Sequence, residues 1–385
     1  MFIGNEIRFL EKYFEIQVAP LLISSSPLKI CENIKIDHSL NAEIKKNKFL
    51  RAFQVLSSFK FYSEILAAIM LNRIPNLISI IHFVDLFVST NKWIKKREII
   101  NKYDVIYTYW LSAVTSAFSG QKRKPLIISR VHGYDIYEER YKSNYIVGIR
   151  NTLQNLDVLY TISNHAIKYI NSNYNHKCKL VLARLGVASQ VLTVGNLPES
   201  LHLVSCSSVI SLKRVDNLLK AVLMVAEKNS NLKIKWTHLG DGNELPKIKD
   251  SIRSMGVSNN LIISFPGNYN HDEVISFYKN NKVDLFIHAS ETEGLPVSMQ
   301  EAHSFGIPIV STNVGGVSEI VVDGTGFLIN SENTVIEMHD RINEYILLSQ
   351  KSDFRTASIK NQLYNFNMEV NYEKFTLNIL QNCHN

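Results

Sequence analysis

The chain of 385 residues is long enough for two or three domains, and its 45% hydrophobic and 20% charged residues are ordinary proportions for a globular protein. The net charge of +7 is unevenly distributed, because residues 1–190 carry 26 basic against 14 acidic side chains and residues 191–385 carry 16 against 21. This division argues against uniform coating of a nucleic acid, and no basic motif interleaved with aromatic residues indicates such a partner.

Cysteine usage and hydropathy indicate a reducing compartment. The four cysteines are scattered along the chain without metal-ligand spacing. The segment 1–14 carries charges throughout and lacks the apolar core of a signal peptide. The most apolar run, 74–88, is interrupted by Pro75, His82 and Asp85 and is predicted to fall short of a spanning helix. We therefore expect a cytoplasmic protein.

The basic first half has two interpretations that stay open. Positive charge there would suit anionic lipid head groups or a pyrophosphate-linked acceptor. A genome that favours lysine would give the same bias without any function. The lysine runs at 45–48 and 95–97 fit either interpretation.

The first half alternates irregularly between apolar and polar segments. The pattern between residues 50 and 100 predicts two antiparallel helices. A linker is predicted across 186–201, where glycine and proline interrupt both periodicities. The other predicted elements are strands at Val105–Tyr107, Pro125–Arg130 and Val158–Tyr160, a helix at Leu111–Ser119, and a helix beginning at Ser163 or Asn164.

The second half alternates cleanly between short apolar runs and amphipathic stretches, as βα units require. The predicted strands are Leu203–Val209, Lys233–Leu239, Leu261–Phe265, Val283–His288 and Pro308–Ser311. The predicted helices are Val215–Lys228, Glu244–Ser254, one beginning at 270–273 and one at about Pro296–Ser304, followed by a short helix and strand ending near Ile329 and a helical stretch over 333–385. Ligands of such sheets bind beyond the carboxyl ends of the strands.

The segment 284–329 is the most informative part of the chain. Glu293 and Glu301 lie eight positions apart around a strand-to-helix switch, with Gly294, Leu295 and Pro296 between them. Glycine lets a ligand approach the backbone, and a helix start offers free N–H groups that suit a diphosphate. Carboxylates on either side suit a ligand that carries hydroxyl groups as well as phosphates, such as a nucleotide sugar.

This segment resembles the donor-site signature of retaining glycosyltransferases of the GT-B type. These belong to the large bacterial family 4, which includes capsule, O-antigen and exopolysaccharide transferases. The ordered series carries the resemblance: Ser290, Glu293-Gly294, Glu301-Ala302, Gly306-x-Pro308, Gly315-Gly316 and Glu319-Ile320. The resemblance implies an α/β fold of two Rossmann-like doubly wound domains facing a cleft. We expect an acceptor domain at 1–190 and a donor domain at 191–365, with the helix at about 366–385 packing back on the first.

The resemblance also implies roles for individual residues. Lys213 matches the lysine that grips the donor diphosphate, and Arg214 is expected to compensate for Ser208, which stands where the family has an arginine. Glu301 is expected to hold the ribose hydroxyls, and Glu293 to lie beside the transferred sugar, where it stabilises an oxocarbenium-like state. Lys213, Glu293 and His132 form the expected catalytic set. Further contacts to the donor are expected from Gly294, Leu295 and Pro296, which follow Glu293, and from the loop glycines Gly240 and Gly267.

On the acceptor side, His132, Gly133 and Asp135 follow a predicted strand directly and resemble the family's His-Gly-x-Asp element, which reaches the cleft. No Asp-x-Asp pair stands in a plausible loop, so the reaction is expected to need no metal and no other cofactor. The expected partners are a nucleotide-sugar donor, a lipid-linked saccharide acceptor and the anionic inner face of the plasma membrane. Two alternatives remain open, a non-catalytic paralogue acting as a scaffold and a nucleotide-sugar 2-epimerase.

Family members usually open with a strand and a Gly-rich loop before a segment like residues 2–7. Here the chain starts at that segment, so the first strand of the N-terminal domain is expected to be missing, through a late start codon or loss of the 5′ end of the gene. In-frame codons upstream of Met1 are expected to encode a short Val/Ile-rich strand and a loop.

Overall fold

The computed structural model describes residues 2–22, 34–46, 48–74, 76–121, 125–190 and 199–383. The chain divides into two compact units, residues 1–183 together with 372–385 and residues 184–371. The first division therefore falls seven residues before the predicted boundary at 190/191. The predicted linker over 186–201 lies partly outside the described residues.

The first unit contains two parallel sheets. One is a short ladder of β1 (Gln17–Val18) and β2 (Lys35–Ile36). The other contains β3 (Val105–Thr108), β4 (Leu126–Val131), β5 (Val158–Thr161) and β6 (Lys179–Leu182), in the order β3-β4-β5-β6. Within the described residues β3 is an edge strand, with no strand paired to its open side.

The helices of the first unit correct one prediction, because three helices rather than two lie between residues 48 and 97. Two side-chain caps divide the segment: the Ser58 hydroxyl accepts from the Lys60 N–H at 3.3 Å, and the Asn76 side chain accepts from the Ser79 N–H at 3.1 Å. The helices are α1 (Phe2–Leu10), α2 (Ser39–Ile44), α3 (Lys48–Leu56), α4 (Phe59–Met70), α5 (Leu77–Arg97), α6 (Ala113–Ser119), α7 (Ile149–Asn155) and α8 (Asn164–Asn173).

The second unit is a doubly wound sheet whose strands match the predicted ones within a few residues. They are β7 (Ser200–Cys206), β8 (Lys233–Leu239), β9 (Leu261–Gly267), β10 (Leu285–His288), β11 (Ile309–Thr312) and β12 (Gly326–Ile329). All neighbours are parallel, and the order is β12-β11-β10-β7-β8-β9. The predicted α/β class with parallel sheets is therefore confirmed.

Helices cover this sheet, and the last helix belongs mostly to the other unit. Those after the strands are α9 (Val215–Lys228), α10 (Leu245–Met255), α11 (His271–Asn280), α12 (Val297–Ser304), α13 (Thr334–Leu347) and α14 (Lys351–Asn365). The terminal helix, α15 (Met368–Cys383), enters the first unit at residue 372. There its Phe375 and Ile379 pack with Ile128 and Tyr160 of the sheet.

The central strands β7 and β10 are buried along most of their length because helices exclude water from both faces of the sheet. Leu285, Phe286 and Ile287 of β10 are fully buried, as is Trp236 of β8. A rigid sheet of this kind holds the loops at its carboxyl edge in fixed positions.

Candidate functional site

The candidate site lies where the strand order of the second unit reverses. From β7 the chain moves outward to β9, returns to β10 beside β7, and moves outward again to β12. The loops that leave β7 and β10 therefore diverge and open a crevice at the carboxyl edge. A backbone hydrogen bond from the Glu291 N–H to the Leu212 carbonyl, 2.9 Å long, joins the two loops.

The predicted residues Lys213 and Glu293 meet across this crevice. Lys213 ends a 3-10 turn after β7, and Glu293 lies in the loop after β10. The Lys213 Nζ is 2.5 Å from the Glu293 Oε1. Glu293 is 7% exposed, whereas the lysine side chain is 21% exposed. The carboxylate is enclosed while the ammonium keeps access to solvent.

His288 is a third member of this group and was missed in the sequence. It is the last residue of β10, it is buried, and its Nε2 lies 2.7 Å from the same Glu293 Oε1. The signal was present, because a histidine that ends a buried strand at the carboxyl edge stands next to the ligand position of such sheets. It was counted as part of the strand and given no role.

These neighbours determine the charge of Glu293. Burial opposes ionisation of the carboxyl, but the hydrogen bond and electrostatic interaction with His288 and the positive charge of Lys213 outweigh it. The pKa of Glu293 is therefore held well below its usual range. At neutral pH the group is a buried carboxylate with two cationic or polar partners on one oxygen.

Glu301 also has a side-chain partner that the sequence reading did not assign. Its Oε1 lies 2.8 Å from the Nδ1 of His271, the first residue of α11. The glutamate is 7% exposed, and the histidine side chain is 26% exposed. The contact fixes the direction of the Glu301 carboxylate.

The start of α12 differs from the prediction by one residue. Pro296 was placed at the first helical position, but it is the N-cap, with φ −64° and ψ 123°, and the helix begins at Val297. No side chain in the described part of the chain caps this end of the helix. The first N–H groups of α12 are therefore available to a ligand. Gly294 and Leu295, which precede it, are buried.

A glycine after β11 allows the loop before α12 to take this course. Gly315 has φ +56°, and a Cβ there would lie 1.8 Å from the Glu293 carbonyl oxygen. The next residue, Gly316, donates its N–H to the Gly294 carbonyl at 2.9 Å. Any side chain at position 315 would displace the Glu293 loop.

The two predicted loop glycines lie together. The Gly240 N–H donates to the Gly267 carbonyl at 2.9 Å, which joins the loops after β8 and β9. Gly240 has φ +146°, and a Cβ there would lie 1.9 Å from the Ser207 carbonyl oxygen. Gly267 has φ +95° with open space around its Cβ position. The first glycine is required by close packing and the second by its backbone conformation.

Arg214 lies beside the crevice but its guanidinium is directed elsewhere. It donates to the Ser331 carbonyl at 3.1 Å and lies 3.4 Å from the Glu291 carboxylate. With Glu244, Lys247 and Glu291 it lines an adjoining cavity of about 460 Å³ that Lys213, Glu293 and Glu301 do not line. Ser208 is exposed. In this arrangement Arg214 does not share a partner with Lys213.

In the first unit, the carboxylate of Asp135 holds the predicted His132-Gly133 loop by backbone contacts. Asp135 Oδ1 accepts from the N–H groups of His132 at 2.8 Å and Gly133 at 3.0 Å, and Oδ2 accepts from Leu111 at 3.2 Å. Burial nevertheless raises the pKa of Asp135 to about 6. The geometry makes Asp135 a support of the loop.

His132 itself is held in its neutral form. Its Nε2 is 3.0 Å from the Tyr109 carbonyl oxygen, and its ring lies 4.5 Å from the Tyr109 ring. Burial and the nearby Arg130 charge lower the pKa of His132 to about 4. If Nε2 donates to the carbonyl, Nδ1 is the ring nitrogen left as an acceptor.

No group of three His, Cys, Asp or Glu side chains that could hold a metal ion occurs in the described part of the chain. The expected independence from metals and cofactors remains a prediction.

Comparison with known proteins gives this geometry a family context. Residues 194–362 match the family "Glycosyl transferases group 1". The chain is 26% identical over 223 residues to an uncharacterised glycosyltransferase of Methanocaldococcus jannaschii, which covers 57% of this chain and 58% of that protein. It is 41% identical over 71 residues to the Escherichia coli O-antigen biosynthesis glycosyltransferase WbnH, covering 18% of this chain and 21% of that one. The chain thus spans well under two thirds of either relative.

Solved structures resemble the fold over about three quarters of the chain. The Anabaena protein HepE, in complex with UDP and glucose, superposes with a TM-score of 0.62 at 19% identity, covering 76% of this chain and 81% of that one. At such identity the likeness establishes the fold alone. The protein therefore has a GT-B fold, and residues 194–362 are similar to the group 1 glycosyltransferases.

Proposed function

We propose that this protein is a retaining glycosyltransferase that moves a hexose from a nucleoside-diphosphate sugar to a lipid-linked glycan in surface polysaccharide synthesis. The observation that carries the proposal is the meeting of Lys213, His288 and Glu293 at the switch point, beside the uncapped end of α12. A cation, a buried carboxylate and free helical N–H groups in one crevice suit a ligand that carries both phosphates and hydroxyls.

The donor would occupy the crevice in a definite direction. Its diphosphate would take the N–H groups at the start of α12 and draw the partly exposed Lys213 ammonium away from Glu293. Glu301, held by His271, would accept from the two ribose hydroxyls. The UDP and glucose in HepE support a nucleotide and a sugar as ligands of this fold.

When the Lys213 ammonium moves from the Glu293 carboxylate to the donor phosphate, the site would be ready for the chemical step. The bond between the sugar C1 and the β-phosphate oxygen breaks, and the diphosphate leaves with its charge neutralised by Lys213. Glu293, still bonded to His288, stabilises the positive charge at C1. The acceptor hydroxyl forms the new bond on the same face and passes its proton to the departing phosphate.

The acceptor and the location belong to the proposal as well. His132 is neutral at pH 7 and directly follows β4 in the first unit, where an imidazole nitrogen can accept from a sugar hydroxyl. The O-antigen function named for WbnH supports a surface glycan as product. Such acceptors are carried on lipid, so we place the protein in the cytoplasm, at the inner face of the plasma membrane.

The scaffold alternative would leave the crevice without a ligand, and the epimerase alternative would need a nucleotide sugar without transfer. Incubation with UDP-, GDP- and dTDP-sugars, monitored by thermal shift and by release of nucleoside diphosphate with and without a membrane extract, separates them. Transferase activity requires one donor to stabilise the protein and diphosphate release that depends on the extract. Absence of any stabilising donor would contradict the proposal.

A further inference from the structure

An unusual concentration of exposed apolar side chains lies on α3, α4 and the start of α5. Of the 29 large hydrophobic residues that are exposed in the described chain, 13 fall within residues 49–81. Phe49 is 89% exposed, Phe59 and Ile74 are each 86% exposed, and Met70 is 77% exposed. The full set is Phe49, Phe53, Leu56, Phe59, Tyr62, Leu66, Ile69, Met70, Leu71, Ile74, Leu77, Ile78 and Ile81. We call these side chains the apolar face.

The apolar face is additional to the side by which these helices pack. Val55, Phe61, Ile80 and Val84 form a small buried cluster among the same three helices. On α4 the exposed residues follow the spacing of a helical stripe, from Phe59 through 62, 66 and 69 to Met70. The helices are thus apolar both toward their own cluster and toward solvent, which is typical of a surface that another apolar phase covers.

The charges of this region favour an anionic partner. Glu64 is the only carboxylate between residues 49 and 81, and it is 5% exposed. Its carboxyl group faces inward, where it bonds to the Tyr145 hydroxyl at 2.7 Å, to the Gly148 N–H at 2.9 Å and to Lys60 at 3.0 Å. No acidic group is therefore exposed on the apolar face.

Cations border the apolar face instead. Lys45 and Lys46 precede α3, and Arg73 follows α4, and all three are exposed. Lys46 is also paired with Glu43. Exposed aromatic and aliphatic side chains with basic residues at their border fit the interface of a bilayer that contains anionic lipid, because apolar groups enter the acyl boundary and lysines remain at the head groups.

We infer that the apolar face of α3, α4 and α5 is the surface by which this protein enters an anionic membrane. The inference rests on the proposed lipid-linked acceptor, which it explains: the first unit would lie on the bilayer from which the acceptor is taken. A protein partner would more commonly require polar groups within the patch that fix its register.

Helix α5 needs separate treatment because, among the described residues, it is the one helix long and apolar enough to cross a membrane. The apolar run at 74–88 was expected to be too short to span a membrane, but the helix that contains most of it continues to Arg97. Yet Trp93 and Ile94 are buried with Phe118 and Leu40 in the core of the first unit. The inference therefore assigns α5 an interfacial position at its first turns.

The test measures flotation of the full chain with vesicles of phosphatidylcholine, with and without phosphatidylglycerol. The test variant is Phe59→Ser with Met70→Ser, and the control is Leu347→Ser with Tyr364→Ser, whose positions are 84% and 85% exposed in the second unit. We expect the test variant to bind roughly tenfold or more weakly to both vesicle types, since two apolar anchors are removed, and the control to bind as the wild type. Both changes lie on exposed side chains, and circular dichroism checks the fold.

Charge variants test the border. Lys45→Gln with Arg73→Gln should weaken binding to phosphatidylglycerol vesicles by roughly fivefold to thirtyfold, at about 1 kcal/mol per charge, and leave phosphatidylcholine binding unchanged. Equal losses in the test and control variants, or no binding of the wild type, would overturn the inference. A wild-type dimer in size-exclusion chromatography that the Phe59→Ser/Met70→Ser variant no longer forms would also overturn it. So would resistance of the membrane-bound chain to carbonate extraction, which would mean that α5 spans the membrane.

Failure of this inference and of the proposed function can be told apart. Vesicle binding is measured without a donor, and transfer can be measured with a detergent-solubilised acceptor. If transfer fails in detergent while vesicle binding follows the apolar face, the function is wrong and the membrane surface stands. If transfer proceeds in detergent and the apolar-face variant floats as the wild type does, the proposed function stands and the membrane surface is wrong.

Discussion

Glu293 in the second unit and Asp135 in the first are both buried carboxylates at the carboxyl edge of a parallel sheet, yet their surroundings differ. Glu293 is bonded by the side chains of His288 and Lys213, and its pKa is held low. Asp135 accepts from three backbone N–H groups, and burial raises its pKa to about 6. A carboxylate paired with a partly exposed lysine can give up that partner to a ligand, whereas one bonded to backbone is committed to holding a loop.

The largest expected effect follows from replacing Glu293 by glutamine. The amide keeps the shape and one hydrogen bond but loses the charge that stabilises the sugar cation. We expect kcat to fall by roughly 100-fold to 1000-fold, as for loss of one electrostatic contact in a transition state. Steady-state kinetics with the identified donor measure this effect. A large rise in donor KM with unchanged kcat would assign Glu293 to binding.

The matching change at Asp135 should affect folding. Asp135→Ala leaves three backbone N–H groups without an acceptor, at a cost of about 3 kcal/mol in the free energy of unfolding. Asp135→Asn, which keeps one acceptor oxygen, should cost less. Urea denaturation measures both, and donor affinity at low denaturant should be unchanged. A loss of donor affinity without loss of stability would show that the two carboxylates do not differ as described.

Glu301 provides an intermediate case, because its one side-chain partner among the described residues is His271. Glu301→Ala should raise the donor KM by roughly tenfold to 100-fold through loss of charge-assisted bonds to the ribose. Donor kinetics at saturating acceptor measure this value. Glu273→Ala, on an exposed capping residue of α11, is the matched control and should leave KM unchanged. Equal effects of the two changes would point to the packing of α11.

The smallest expected effect concerns the pH dependence of the first unit. The pKa of His132 is lowered to about 4 in the folded state, so the unfolded chain binds more protons between pH 6.5 and 4 and stability falls as pH decreases through that window. The His132 contribution to this loss between pH 7 and 5 should be about 1–2 kcal/mol, allowing for partial solvent access. Asp135, whose pKa is raised to about 6, opposes it in the same window, so the comparison is made between the wild type and a variant that keeps Asp135. His132→Gln should reduce this loss in urea denaturation. An unchanged slope would mean that the imidazole titrates normally.

Sequence alone anticipated the second unit better than the first. Local βα periodicity gave its strands within a few residues, and the spacing from Glu293 to Glu301 located the crevice. His271 could not be assigned, since its role depends on which side chain a neighbouring helix brings to it. His288 could have been assigned, because it ends a buried strand at the carboxyl edge of the sheet. In the first unit, the break at Ser58 was missed because residues 48–70 contain no glycine or proline that would mark the end of one helix and the start of the next.

The asymmetry of charge is also explained only in part by sequence. A basic first half was compatible with lipid binding or with a lysine-rich genome. The structure adds that Glu64 faces inward while Lys45, Lys46 and Arg73 face solvent around the apolar side chains. Composition cannot supply this distinction, because it depends on which side of a helix each charge occupies.

The central claim is that Lys213 at the switch point, rather than the cations of the adjoining cavity, binds the donor diphosphate. Isothermal titration of the preferred nucleoside diphosphate and of its nucleoside tests it directly, using Lys213→Ala and, as control, Lys247→Ala from the cavity lining. The account predicts that Lys213→Ala weakens diphosphate binding by about 1.5–3 kcal/mol and nucleoside binding little, with no change for the control. Equal weakening of nucleoside and diphosphate, or a loss in Lys247→Ala as large as in Lys213→Ala, would contradict it.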